Sequence, residues 1–405
     1  MRRVGFAGFA GGARAVLGAV AISALTIGAA AAQTIKIGTP LALTGGLADE
    51  GKKQVIAYEM WLKRVNDAGG IDVGGKKMRV QLVRYDYQTN EQRAQQLAER
   101  LIVEDKVDFL LAPFGSGHTK VVAGVAERYG VPVVATSASS ESIFNQGYKN
   151  LFGVLAPNTG SIQNLLATVS KGQPNVKRIA ILGREDVFPK AMATTMNELA
   201  VKAGYQVQSM EFYPVGTLDL ATPISKIKAL KPDWIYITGY SKDLILARKQ
   251  MSDLGVTAPV VTMITGPVYK EFIDALGPQA ENVTSASWWH HSAQLKGDDP
   301  WGSTKAFYDE FVAREKHDPD YVHAASAAAL VALQKAIERA KTLDKAKVRE
   351  ALAALDINTF YGPIKFGPNG MNTAISGLPI IQVQGGQPIP LFPDNVKRGN
   401  LRPFK

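Results

Sequence analysis

Hydroxyl side chains gather in two short segments, Pro113-Phe114-Gly115-Ser116-Gly117 and Thr136-Ser137-Ala138-Ser139-Ser140-Glu141-Ser142. Each follows an apolar run, 107–112 and 131–135, of the kind expected for a parallel strand buried on both faces. Small polar residues at the carboxyl end of such a strand sit where open parallel sheets bind ligands. The free N–H groups of a following helix, with serine hydroxyls beside them, suit a small anion. Taken singly, the same serines are also ordinary caps and turn formers.

Catalytic readings of these residues find no support. Pairing Ser116 with His118 lacks an evident orienting acid, and Phe114-Gly115-Ser116-Gly117 lacks the first glycine of a nucleophile elbow. Gly46-Leu47-Ala48-Asp49-Glu50-Gly51-Lys52-Lys53 resembles a phosphate-binding loop. Its last position is Lys53 instead of Ser or Thr, and Asp49 and Glu50 put negative charge where phosphates belong. No Gly-x-Gly-x-x-Gly follows an expected strand. The five histidines are His118, His290, His291, His317 and His323; adjacent His290-His291 have no acids at ligand spacing and read as polar surface or cleft rim. No metal, cofactor or catalytic set is expected.

The elements that must position the serines form a regular alternation. Residues 34–38 read as a first strand ending in a loop at 40–46. A helix follows over 48–66, with Val55, Tyr58, Leu62 and Val65 on one face. Then come a turn at Gly74-Gly75, a strand over 78–85, a helix over 90–104 and the 107–142 segment. This is a doubly wound pattern. Residues 152–158, with Gly153 and Pro157, read as a crossing to another lobe. The alternation then restarts with strands over 178–182, 206–213, 234–238, 260–263 and 282–289. Helices are expected between them over 189–203, 218–230, 241–254 (capped by Ser241) and 269–276. Helices over 303–316, 321–340 and 344–355 follow. The glycine-punctuated stretch 360–391 reads as a β meander.

Residues 1–32 read as a secretory signal. Arg2, Arg3 and Arg14 form a basic start, residues 15–29 are apolar and small, and Ala30-Ala31-Ala32 offers a cleavage site near Ala32. Net charge is +10; without the leader's three arginines, 43 basic residues face 36 acidic ones, for +7. No basic stripe interleaved with aromatics suggests nucleic acid. The chain has no cysteine, which excludes disulfides, thiol chemistry and a lipidated N-terminal cysteine. The sequon Asn282-Val283-Thr284 carries no weight behind a bacterial-type leader.

Several segments together resemble the periplasmic substrate-binding proteins of ABC importers, in the Leu/Ile/Val-binding group. They are Ile35-Lys36-Ile37-Gly38 with Leu43-Thr44-Gly45, Val65-Asn66-Asp67-Ala68-Gly69-Gly70-Ile71, and Val83-Arg84-Tyr85-Asp86. Further ones are Gly130-Val131-Pro132-Val133-Val134, Ile237-Thr238-Gly239-Tyr240 and Tyr361-Gly362-Pro363-Ile364-Lys365-Phe366. The resemblance implies two doubly wound, Rossmann-like α/β lobes joined by a three-strand hinge, the type I periplasmic-binding fold. On that basis lobe one is expected at 34–153 plus 288–358, lobe two at 154–287 plus 359–391, and a tail at 392–405.

The resemblance also implies a ligand site. Ser116 matches the hydroxyl that holds a ligand carboxylate, and Ser137 and Ser139 match the second loop's contacts. Phe188 matches an aromatic opening the second lobe's first helix. Tyr240 follows a second-lobe strand, and Tyr321 opens the long helix. Trp288, with Trp289, stands at the second crossing as a flat wall or as hinge packing. Two positions depart from the pattern. Thr265 stands where an amine-binding acid is expected, and Glu50 stands where an aromatic is expected. Either Glu50 or Asp49 takes over the ammonium, or the ligand lacks one, because a buried unpaired ammonium is costly.

The implied role is a periplasmic receptor, working as a monomer with a membrane permease and closing on a small carboxylate. A branched-chain or other hydrophobic amino acid is placed ahead of an aromatic or other amine-free carboxylate. A ligand-sensor domain and an exported enzyme are the alternatives of other classes.

Overall fold

The computed structural model describes residues 34–404, so the expected signal segment lies outside the described residues. The first half of the chain builds a parallel sheet. Strand β1 (Ile35–Leu41) leads into helix α1 (Ala48–Asp67). A small hairpin follows, β2 (Ile71–Val73) and β3 (Lys76–Met78), turning at Gly74-Gly75. Next come β4 (Val80–Asp86), α2 (Glu91–Val103), β5 (Phe109–Ala112), α3 (Ser116–Arg128), β6 (Val133–Ala135), the single turn α4 (Glu141–Phe144) and β7 (Leu151–Gly153). The sheet runs β4-β1-β5-β6-β7, all parallel. Every residue of β5 and β6 is buried, as a strand covered by helices on both faces requires.

The chain then crosses to a second sheet and repeats the plan. Helix α5 (Asn158–Gly172) precedes β8 (Arg178–Arg184), α6 (Val187–Lys202), β9 (Gln206–Tyr213), α7 (Ala221–Leu230) and β10 (Trp234–Thr238). Helix α8 (Ser241–Asp253), β11 (Val260–Ile264), α9 (Lys270–Leu276) and β12 (Thr284–Ala286) complete the series. A second crossing leads to α10 (Thr304–Glu315), α11 (Tyr321–Ala340) and α12 (Lys345–Ala353). The alanine-rich α11 packs against α1 and β6 of the first lobe, and Trp61 Nε1 donates to Gln334 Oε1 at 3.2 Å between the two helices. The chain ends with the hairpin β13 (Asp356–Asn358) and β14 (Pro363–Lys365), a third crossing, and β15 (Ile380–Gln384) with β16 (Gln387–Phe392). The second sheet runs β16-β15-β12-β11-β10-β8-β9, parallel from β12 to β9 and antiparallel beyond. Both sheets thus place their first strand between their second and third, so the strand order reverses beside β1 and β8.

The three crossings are tied together. Gly153 N–H donates to Gly370 O at 2.8 Å, and Asn372 N–H donates back to Gly153 O at 2.9 Å. Asn372 Nδ2 also reaches Val154 O at 3.1 Å. Trp288 Nε1 donates to Ala156 O at 3.0 Å, joining the second crossing to the first.

Four sequence expectations need correction. Helix α5 falls in a stretch read only as a crossing and its sequel. Its Asn, Thr, Gly and Ser content is poor for helix, but Ile162, Leu165, Leu166 and Val169 are all buried at helical spacing. Phe188 therefore opens the second lobe's second helix. Strand β12 is shorter than expected because the chain leaves the sheet at Ser287, whose N–H goes to Pro379 O at 2.8 Å. Ser241 is the first helical residue of α8, and the boundary residue is Tyr240, whose N–H is taken by Asp243 Oδ2 at 3.1 Å. The expected meander is two separate hairpins, one of which extends the second sheet.

Candidate functional site

The two serine loops lie side by side at the carboxyl ends of β5 and β6. Gly115 N–H donates to Ser137 O at 3.1 Å, locking one loop to the other. Gly115 has φ +92° and ψ 144°, a conformation open to glycine. It ends β5's loop and lets α3 begin at Ser116, whose first-turn N–H groups have no partner within the helix. Ser116 is fully buried, and its Oγ accepts from Ser140 N–H at 3.3 Å. Thr136 Oγ1 accepts from Gln54 Nε2 of α1 at 2.7 Å, and Ser139 O accepts from Asn158 N–H at 3.2 Å, tying the second loop to the start of α5.

Above these loops the lobes close on a narrow cavity of about 10 Å³, room for about one water. Lobe one contributes Phe114, Gly115, Ser137 and Ser139, with Tyr321 from the start of α11. The crossings contribute Leu155 and Trp288, and lobe two contributes Phe188 and Tyr240. The rings interlock. Phe188 stacks on Tyr240 at 6.1 Å between centroids and meets Trp288 edge-on at 5.8 Å. Phe114 meets Tyr240 edge-on at 5.7 Å, and Trp288 lies 5.3 Å from Tyr321. The lining of this cavity combines Ser137 and Ser139 with aromatic rings and Leu155. No acidic or basic side chain lines it.

Tyr240 is braced from behind. The Arg184 guanidinium sits 5.1 Å from its ring centroid and donates to Asp243 Oδ2 at 2.8 Å. The Tyr240 hydroxyl is buried without a partner, and burial pushes its phenol well above the ordinary range, so it stays a protonated donor. Its oxygen lies 3.2 Å from where a Cβ on residue 115 would stand, so it points at the turn into α3.

Six sequence-predicted residues thus share one cavity: Ser137, Ser139, Phe188, Tyr240, Trp288 and Tyr321. Ser116 supports the loops from beneath. Thr265 lies outside the lining, with φ +76° and its N–H on Ser285 Oγ at 3.0 Å. Glu50 also lies outside it. Burial, partly offset by Lys53, pushes the Glu50 carboxyl up to about 7, and its Oε1 is buried without a partner. Sequence reasoning missed Phe114, Gly115 and Leu155, all of which stand at the ends of apolar runs where a chain turns into the cleft. It also missed the ion cluster of Lys53, Asp320 and Glu271. Lys53 Nζ lies 2.8 Å from Asp320 Oδ2 and 3.5 Å from the Tyr269 ring centroid.

A larger cleft of about 330 Å³ lies outside the cavity, lined by Lys53, Glu271, Asp320, His290, His291, His317 and His323 among others. The outer cleft is the larger space, but the inner cavity is the one that lies at the carboxyl ends of β5 and β6, where open parallel sheets bind ligands. Among the described residues no three His, Cys, Asp or Glu side chains are placed to hold a metal. Among them, too, no helix is long and apolar enough to cross a membrane.

Residues 34–387 match the periplasmic binding protein family. The chain belongs to that family. A curated relative, the leucine-, isoleucine-, valine-, threonine-, and alanine-binding protein of Pseudomonas aeruginosa, is 28% identical over 359 residues, covering 87% of this chain and 91% of the relative. Among solved structures, a leucine-binding protein from Thermotoga maritima superposes with a TM-score of 0.79 at 24% identity, covering 88% of this chain and 97% of that one. A solute-binding protein from R. palustris in complex with benzoate gives a TM-score of 0.75 at 18% identity, covering 92% and 97%. This periplasmic binding protein therefore shares its two-lobed α/β fold with both.

Proposed function

We propose that this periplasmic binding protein is the exported solute receptor of an ABC importer, and that its ligand is a small hydrophobic carboxylate without an ammonium group, aromatic acids foremost. The observation that carries the ligand class is the cavity lining. It offers the hydroxyls of Ser137 and Ser139 for a carboxylate, ring faces for the remainder, and no acid for an ammonium. An ammonium buried there would lose its hydration without a charged partner. The lobes are assigned to 34–153 plus 288–358 and to 154–287 plus 359–391, with ligand held between them and closure coupled to binding. The closed complex is then presented to a membrane permease.

A hydrophobic amino acid is the second reading. It is favoured by the unpartnered Glu50 carboxylate oxygen near the cavity and by the ligands named for the Pseudomonas relative. Thermal unfolding against benzoate, 3-phenylpropionate, leucine, isoleucine, valine and phenylalanine separates the two. A ligand at about 100 times its Kd adds roughly 2.7 kcal/mol of stability. Shifts with the amine-free acids alone support the first reading. Shifts with amino acids that vanish in Glu50→Gln support the second. No shift with any of them overturns the receptor assignment.

A further inference from the structure

The inner cavity and the outer cleft share a single lining residue, Tyr321. It therefore borders both spaces, and its ring is held on two sides. On the cavity side it lies 5.3 Å from the Trp288 ring. Tyr269 stacks on it at 5.9 Å with planes 21° apart, and the Tyr269 O–H donates to the Tyr321 oxygen at 2.8 Å. Its backbone is pinned as the first residue of α11, where the Asp320 carboxylate caps the N–H groups of Val322 and His323 at 2.8 and 3.4 Å. A wall held by two rings, a hydrogen bond and a capped helix start does not swing aside as a lone side chain does.

We propose that Tyr321 is the residue that sets ligand length, ending the cavity where an unoccluded path would continue into the outer cleft. The inference rests on the receptor reading and adds to it a specificity determinant. Truncation at this position joins the two spaces, so that a ligand too long for the inner cavity extends past residue 321 toward Lys53, Asp320 and His323.

The test is calorimetric titration of the mature protein with two series, benzoate, 3-phenylpropionate and 5-phenylpentanoate, and leucine and 2-aminooctanoate. Wild type is expected to prefer the short member of its series by about 100-fold, and Tyr321→Ala to cut that preference by about tenfold or more, since each unaccommodated methylene group discriminates 10–200-fold. Tyr321→Phe, which keeps the ring and loses only the acceptor for Tyr269, is expected to keep the preference. If Tyr321→Ala does not melt cooperatively, Tyr321→Leu carries the same comparison with an apolar side chain in place. The proposal is overturned if wild type takes long and short ligands alike, or if the truncated variant discriminates as wild type does. Absence of binding by wild type to every member of both series sinks the receptor reading itself, and the inference with it.

Discussion

Lys53 Nζ lies 2.6 Å from Glu271 Oε1, joining α1 of the first lobe to α9 of the second. The same ammonium holds Asp320 within its own lobe, so one cation serves both the fold and the contact between lobes. Lys53 and Asp320 are nearly buried, whereas the Glu271 side chain is 30% exposed. The two contacts therefore separate by mutation. Lys53→Met leaves Asp320 only His323 and the N–H groups it caps, and is expected to lower stability by about 3 kcal/mol, the cost of breaking a buried pair. Glu271→Gln spares that pair and removes only the bridge. Its expected effect is a ligand affinity about fivefold weaker, equivalent to about 1 kcal/mol, with little change in the unliganded melt. Equal effects of both variants on the unliganded melt would mean that the bridge is a folding contact and not a closure contact.

Glu50 makes stability depend on pH in an unusual direction. Its carboxyl rises from 4.5 to about 7 in the folded protein, with burial as the main cause. Between those values the folded state holds a proton that the unfolded chain has released. Stability from this group is therefore present in acid and lost as pH rises from about 4.5 to about 7. Glu50→Gln removes the titration and should stabilise the protein at pH 8 by about 3 kcal/mol, at 1.36 kcal/mol per unit, while matching wild type near pH 4.5. Urea unfolding at the two pH values checks this. Asp320 acts oppositely and lower. Burial alone would raise it, but Lys53 and His323 hold it below the usual carboxylate range, so its contribution is lost only in stronger acid. A variant no more stable than wild type at pH 8 would show that Glu50 is ionised at little cost.

Parallel strands buried on both faces wrote their positions plainly. The runs into Ala112 and Ala135 locate both serine loops, and six of the residues singled out in the sequence share one cavity lining. What remained hidden depends on orientation in space. Nothing in the sequence separates Ser116, which turns inward to Ser140 N–H, from Ser137, which faces the cavity. Lys53 and Glu271 are 218 residues apart, and no local pattern joins them. Tyr269 is a boundary residue whose ring matters only because Tyr321 arrives beside it.

That difference between serines is itself testable. Alanine at Ser137 or Ser139 removes a hydroxyl but keeps the carbonyls that bind Gly115 N–H and Asn158 N–H, so the loops should hold. Each substitution is expected to weaken carboxylate binding by about 1.5 kcal/mol, roughly tenfold, as for a hydrogen bond to a charged group. Ser116→Ala instead strips the acceptor from a buried N–H and should cost about 1 kcal/mol of stability. Titration and urea melts on the three variants give the comparison. A Ser116 variant that loses affinity while keeping stability would place its hydroxyl on the ligand.

Gly115 carries two constraints that a double mutant can weigh. An alanine there must adopt φ +92° with ψ 144°, a region nearly exclusive to glycine, at about 1–3 kcal/mol. Its methyl would also stand 3.2 Å from the Tyr240 oxygen and 3.5 Å from His118 Nδ1. The His118 distance is ordinary van der Waals contact and the Tyr240 contact yields to a small shift; the backbone does not, because Gly115 N–H is held by Ser137 O. Gly115→Ala is therefore expected to lower stability by about 2 kcal/mol and to abolish binding, since the methyl enters the narrow cavity that Gly115 lines. Adding Tyr240→Phe clears the hydroxyl without relaxing the backbone, so the double variant should remain as unstable as the single one. Recovery of stability in the double variant would assign the cost to the Tyr240 contact and not to the turn.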